Sequence, residues 1–182
     1  GNVYKTIKIG TQIWMAENLK AAHYRNGDPI PNITDNTEWS NTISGAFCWW
    51  SNDPGWNNNP GNDSYFGKLY NFFTCVDPRG LAPKGWHIPT NEEWSILITY
   101  LGGDAVAAGK MKTTYGWNNN GNGTNESGLS VLPGGYREDN GSFLLVGSYS
   151  YLWSSSENNT DFAWSPVVVA GSNNVFNCGC VP

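Results

Sequence analysis

The stretch GWHIPTNEEW, residues 85–94, places side chains that can do chemistry at short spacing. His87 lies five residues before Glu92 and six before Glu93. A histidine beside carboxylates can bind a metal ion or transfer protons. Thr90 followed three residues later by Glu93 is also a capping box, in which each side chain accepts a hydrogen bond from the other residue's backbone N–H. We therefore predict a helix start and a structural His87, since a metal site would need a third ligand in a chain with two histidines.

Aromatic residues form a second candidate site, in a region otherwise rich in Asn, Asp, Gly, Pro and Ser. Between residues 49 and 66 the aromatic side chains are Trp49, Trp50, Trp56, Tyr65 and Phe66. Aromatic faces can stack on a sugar ring while amides bind its hydroxyl groups. The alternative is that these rings fill a small core beneath a long loop. Trp56, between Pro-Gly and a run of asparagines, is the one for which we most expect exposure.

A further aromatic set lies later in the chain, at Tyr136, Tyr149, Tyr151 and Trp153. Arg137 follows a Gly-Gly pair and could bind a carboxylate or a backbone carbonyl. From both sets we predict the following ligand-binding residues: Trp49, Trp50, Trp56, Tyr65, Tyr136, Arg137 and Trp153.

Metal binding and catalysis have weaker support in the sequence. Asp53 and Asp63 could hold calcium if their loops fold together, but solvated turns would use the same residues. No Gly-x-Ser-x-Gly nucleophile motif occurs, and the spacing of Glu157 and Asp161 does not single them out as a glycosidase pair. We predict no catalytic residue and no cofactor, with calcium as the alternative and a hydrolase or cysteine-based redox enzyme as the least favoured class.

The four cysteines are Cys48, Cys75, Cys178 and Cys180. Neighbours in a Cys-x-Cys pair rarely bridge each other without strain, so if oxidised the last two should each reach back to Cys48 or Cys75. A zinc site would normally need two closely spaced pairs, and the first two cysteines stand alone. Buried free thiols are the remaining possibility.

Composition limits the class of protein. A length of 182 residues is typical of one domain, residues 1–182. Ten Lys and Arg residues and a net charge of −5 do not suit binding to nucleic acid or to anionic membranes. No apolar run of 18 residues occurs, so we predict no membrane span. The start at Gly1 within a strand-like pattern suggests a mature or trimmed chain whose precursor carries the targeting signal.

The remaining patterns predict the elements that position these residues. Residues 3–15 predict a hairpin with Ile7 and Ile9, then Ile13 and Met15, around a tight turn. Residues 24–66 predict a long loop region with one strand at GAFCWW, residues 45–50.

Helical spacing follows the capping box. Apolar residues recur at Trp94, Leu97, Ile98 and Leu101, and Gly102 stands where a left-handed cap belongs. A second helix is predicted over 104–112, with Asp104 as its N-cap and Val106 and Met111 facing inward.

From residue 128 onward the pattern is typical of short strands, and the order of elements favours an α+β fold with an antiparallel sheet.

Several stretches together resemble one family. IGTQIWMAENL, YFGKLYN, LAPKGWHIPTNEEW, GKMKTTYGW, NESGLSVLPGGYR and YLWSSSE resemble, in order and spacing, the Fibrobacter succinogenes major paralogous domain over about residues 7–157. The resemblance implies a C-type-lectin-like fold, with two helices packed on small antiparallel sheets and long irregular loops. The C-terminal NNVFNCGCVP departs from the usual family ending, so the resemblance does not predict the exact closing strand.

The resemblance implies a secreted or lipid-anchored protein of Bacteroidetes or Fibrobacteres. Calcium-dependent lectins use Glu-Pro-Asn or Gln-Pro-Asp together with Trp-Asn-Asp, and this sequence contains none of these triplets. We therefore expect a secreted or cell-surface, non-enzymatic binding module that recognises a glycan or a surface protein through its Trp-, Tyr- and Asn-rich loops. The alternative is a structural or adhesin-like domain without a small-molecule site.

Overall fold

The structure, a computed structural model, describes residues 2–55, 66–159 and 162–180. The fold is mixed α and β, with short helices and small antiparallel sheets, which confirms the predicted α+β class. Its helices are α1 (Asn36–Asn41), α2 (Phe72–Val76), α3 (Asn91–Tyr100) and α4 (Asp104–Met111). Its strands are β1 (Thr6–Ile9), β2 (Gln12–Met15), β3 (Phe47–Cys48), β4 (Leu69–Tyr70), β5 (Tyr136–Arg137), β6 (Phe143–Leu144), β7 (Tyr149–Tyr151), β8 (Glu157–Asn159), β9 (Phe162–Val169) and β10 (Val175–Cys180).

The predicted N-terminal hairpin is confirmed, with β1 and β2 joined at a turn that begins with Gly10 at φ 61°. A two-residue turn pairs odd with even positions, so Ile7 faces Trp14 across the hairpin. Ile7 and Trp14 therefore contact the core, while Ile13 on the opposite face is 63% exposed. The alternation of isoleucines indicated the strands correctly but did not identify the buried face of β2.

The long loop region contains the one expected strand, β3, which pairs with β4. It also contains α1, which the sequence analysis missed. Asp35 caps this helix by accepting a hydrogen bond from the Glu38 backbone N–H at 2.8 Å. Trp39 is its buried residue, and six residues are too few to produce a helical period. The short α2 was missed for the same reason, so the prediction of two helices was too low.

The helix predicted after Thr90 is confirmed as α3, with both hydrogen bonds of the capping box present. The helix predicted over 104–112 is confirmed as α4, but its details differ. Gly103 at φ 91° precedes the helix, and Asp104 lies in its first turn rather than at the cap. Val106 is 41% exposed, whereas Met111 is fully buried together with the small residues Ala107 and Ala108.

The C-terminal strands form an antiparallel sheet around β9. This strand pairs with β10 on one side and with β7 and β8 on the other. The chain therefore does form a closing strand, β10, despite its divergent sequence. The hairpin of β5 and β6 lies beside β7, where Gly135 bridges Ser150.

Two larger clusters of buried side chains hold these elements together. The first joins α3, α4, the β1–β2 hairpin and β9, and includes Trp94, Leu97, Met111 and Val168. The second joins the region of β3, β4 and α2 around Phe47 and Phe72.

Of the alternatives left open for the cysteines, the structure shows free thiols at three positions and not a bridge. Cys48 and Cys75 are buried free thiols, and Cys178 is a free, half-buried thiol on β10. A disulfide from the C-terminal pair back to Cys48 or Cys75 is therefore absent from the fold. Within the ranges given above, no helix has the length and apolar character needed to cross a membrane.

Candidate functional site

The described residues enclose a cavity of about 1020 Å³. Its volume is at the upper end of the range for small-ligand sites. Three of the residues predicted from the sequence line it, namely Tyr136, Arg137 and Trp153.

Tyr136, Tyr151 and Trp153 line the cavity and form, with the adjoining Tyr149, an aromatic row, defined here as these four residues. Side chains two apart along an extended strand share a face, so β7 and the residues after it place Tyr149, Tyr151 and Trp153 on one side. Tyr149 and Tyr151 stack with ring centroids 6.1 Å apart and 16° between planes. Tyr136 on β5 meets Tyr151 at 4.7 Å. All four rings are half-buried.

A carboxylate lies at the Tyr136 end of the aromatic row. The Tyr136 hydroxyl donates to Glu138 Oε1 at 3.2 Å, and Asn140 Nδ2 donates to Oε2 at 3.1 Å. Glu138 and the exposed Asp139 both line the cavity. This end of the row therefore combines a flat aromatic surface with acceptor oxygens that can bind hydroxyl groups.

The Trp153 end of the row is fixed by hydrogen bonds within the chain. Its indole Nε1 donates to the backbone carbonyl of Tyr70 at 2.7 Å, and its ring lies 5.6 Å from that of Phe72. Its own carbonyl accepts from Trp94 Nε1. Only the ring surface of Trp153 that faces the cavity remains for a ligand, because its one side-chain donor is already used.

Lys68 is a lining residue that the sequence analysis missed. Its Nζ lies 4.3 Å from the centre of the Phe47 ring and 4.7 Å from that of Trp49. It donates one hydrogen bond to the Lys20 carbonyl at 3.0 Å. Burial lowers the pKa of Lys68. The sequence signal that could have identified Lys68 is its place as the only charged residue in the aromatic stretch YFGKLY.

Arg137 lines the cavity but is held by the fold. Its guanidinium donates to the carbonyls of Ile33 at 2.7 Å, Thr34 at 3.1 Å and Gly141 at 3.1 Å, and to Asn36 Oδ1 at 2.9 Å. The group also lies over two rings, with Trp39 at 4.4 Å and Phe143 at 4.9 Å. The sequence analysis considered a carboxylate or a backbone carbonyl as the partner of Arg137, and the structure shows backbone carbonyls.

Trp49 and Trp50 pack against other side chains, and both are half-buried. Trp49 meets Phe47 edge-on at 6.4 Å. Trp50 meets Phe143 at 5.4 Å. The described lining of the cavity does not include either tryptophan.

Three of the predicted residues, Trp56, Tyr65 and Asp63, lie outside the residues that the structure describes. The other calcium candidate, Asp53, is exposed and accepts a hydrogen bond from the Gly55 backbone N–H at 2.8 Å. Across the described part of the chain, no three His, Cys, Asp or Glu side chains group in a way that could hold a metal ion.

His87 pairs with the glutamate of the helix cap. Its Nε2 lies 2.8 Å from Glu93 Oε1, and its side chain is 66% exposed. Glu93 Oε2 accepts from the Thr90 backbone N–H and hydroxyl. Partial burial opposes ionisation of Glu93, but the hydrogen bonds from Thr90 and His87 outweigh it and lower its pKa. Both carboxylate oxygens therefore serve the start of α3, as the capping box predicted.

The comparison with known proteins identifies the family of the chain. The family model described as the Fibrobacter succinogenes major domain matches residues 7–179. No curated protein and no solved structure gives a significant match. The match covers nearly all the elements described above, including the β9–β10 pair and the aromatic row. The chain belongs to the Fibrobacter succinogenes major domain family.

Proposed function

We propose that this chain is a secreted or cell-surface, non-enzymatic binding module of the C-type-lectin-like class that takes a glycan into its cavity along the aromatic row. The observation that carries the proposal is the row itself: three half-buried rings that line a cavity of about 1020 Å³, Tyr136, Tyr151 and Trp153, and a fourth, Tyr149, that stacks on Tyr151. Rings of this kind offer apolar contact area at a low cost in conformational entropy.

The polar groups of the wall favour a sugar over a purely apolar ligand. Glu138 stands at one end of the row, and its oxygens can accept hydrogen bonds from sugar hydroxyls while Tyr136 holds it in place. The net charge of −5 argues against nucleic acid as the partner. The aromatic residues of the 49–66 region, including Trp56 and Tyr65, stay candidate contacts of the same ligand, and a calcium ion at Asp53 and Asp63 stays a weaker prediction.

The experiment is a glycan-array screen of the purified chain, with and without calcium, followed by titration calorimetry on each hit. Tyr151→Ala should weaken binding by about 2- to 10-fold, the contribution of one aromatic contact. The matched control is Tyr100→Ala, which removes an exposed tyrosine of α3 outside the described cavity lining. Equal losses in both variants, or no glycan bound by the folded chain, would refute the proposal.

The second candidate is a structural or adhesin-like surface domain whose partner is another protein. The internal hydrogen bonds of Trp153 and Arg137 support it, since both residues stabilise the fold from the cavity wall. In that case the array stays blank, and Tyr151→Ala changes the free energy of unfolding without changing any sugar affinity.

A further inference from the structure

A lysine and an arginine line the described part of the cavity wall, Lys68 and Arg137, and their surroundings differ. Arg137 donates four hydrogen bonds to acceptors of its own chain. Lys68 donates one, to the Lys20 carbonyl. An ammonium group has three donors, so Lys68 retains hydrogen-bonding capacity at the cavity wall.

The charge of Lys68 is only partly compensated. The rings of Phe47 and Trp49 face the ammonium at 4.3 and 4.7 Å and supply cation–π attraction. No carboxylate of the described residues lies within ion-pair distance of its Nζ. Half-buried charges without an ionic partner are costly, and burial accordingly lowers the pKa of Lys68. A ligand that brings a negative charge would offset this cost.

Of the four acidic residues that line the cavity, Asp139 is exposed and the other three have partners other than Lys68. Glu17 pairs with Lys20 at 3.7 Å. Glu93 pairs with His87 and caps α3. Glu138 accepts hydrogen bonds from Tyr136 and Asn140. None of these carboxylates forms an ion pair with Lys68, and together they outnumber the lysine and arginine side chains of the lining. A ligand with several negative charges would therefore be repelled, and one with a single charge would be directed to Lys68.

We propose that Lys68 recognises the carboxylate of a hexuronic acid residue in the glycan that the cavity takes. The inference rests on the proposed function. A hexuronate suits the wall because its ring keeps a C–H face that can stack on an aromatic side chain. Its carboxylate also carries the single negative charge that one ammonium group can balance.

The test compares neutral oligosaccharides that carry one terminal galacturonate, glucuronate or mannuronate residue with the methyl esters of the same oligosaccharides, which keep the sugar chain and remove its single charge. Titration calorimetry at pH 7 and low salt should give at least one acid that binds roughly 10-fold or more tightly than its ester, the factor expected for a charge-assisted hydrogen bond. Lys68→Met should abolish that preference, so that the acid binds no more tightly than its ester.

Lys20→Met is the matched control, because it removes a neighbouring lysine side chain and keeps the backbone carbonyl that Lys68 contacts. It should retain the preference for the acid. Thermal unfolding and near-ultraviolet circular dichroism establish that both variants fold, and Lys68→Gln gives a second, polar replacement.

Three results would overturn the inference: equal binding of acid and ester, a preference for the acid that survives in Lys68→Met, or preferential binding of an acidic peptide. Equal binding leaves the proposed glycan function standing. A folded chain that binds neither these sugars nor any glycan on the array refutes both.

Discussion

The indole Nε1 of Trp94 donates a hydrogen bond to the backbone carbonyl of Trp153 at 3.3 Å. This bond joins α3 to the segment after β7, so it links the capped helix with the aromatic row. Neighbouring bonds reinforce it, since Ser156 Oγ accepts from the Asn91 backbone N–H and Ser155 Oγ donates to the Ile88 carbonyl at 3.1 Å. The two stretches GWHIPTNEEW and YLWSSSE are therefore a single structural unit.

Trp94→Phe tests this unit. The replacement keeps an aromatic ring but leaves the Trp153 carbonyl without its donor, so we expect a loss of about 1–3 kcal/mol in the free energy of unfolding. Urea denaturation measures it, with Trp164→Phe as the comparison because that change removes a half-buried indole from β9. A loss no larger than in Trp164→Phe would contradict the importance of the hydrogen bond.

Arg137→Lys should destabilise the fold before it affects any ligand. A lysine cannot replace a guanidinium that donates to Ile33, Thr34, Asn36 and Gly141 together, so we expect a loss of at least about 3 kcal/mol. Chemical denaturation gives the value. Unchanged stability together with weakened ligand binding would instead indicate that Arg137 contacts the ligand, as the sequence analysis predicted.

Glu93 should make stability depend on pH in the acid range. Its pKa is lower in the folded chain than its ordinary value of 4.5, so the unfolded chain binds more protons there and acid favours unfolding. The stabilising contribution of Glu93 is complete above about pH 5 and is lost as the pH falls through its folded pKa. Thermal melts between pH 6 and pH 3 should show a shallower decline for Glu93→Gln than for the parent chain. Parallel plots of melting temperature against pH for the two chains would show that the charge of Glu93 does not contribute to stability.

The thiols should differ in reactivity. Burial raises the pKa of the Cys48 thiol to about 11 and that of Cys75 further still, whereas Cys178 is half-buried on β10. Since the thiolate is the reactive form, Ellman's reagent should modify one cysteine rapidly in native Cys180→Ser and all three after unfolding. Rapid native labelling of Cys48 or Cys75, located by peptide mapping, would contradict the burial of these groups.

Local signals in the sequence determined the elements whose stabilising contacts are short in range. The capping box of Thr90 and Glu93, the period of α3 and the tight turn at Gly10 each involve residues a few positions apart, and each was found. The aromatic row could also be seen in part, because Tyr149, Tyr151 and Trp153 alternate along a strand.

Tertiary structure alone decided which of these residues meet. Arg137 reaches carbonyls about one hundred positions earlier, and Lys68 finds its acceptor in Lys20. Which face of the hairpin is buried was decided by its packing, since Ile7, Ile9 and Trp14 contact the cluster formed by α3 and α4. Burial and charge compensation depend on neighbours distant in sequence, and those neighbours are fixed only when the sheets and helices pack.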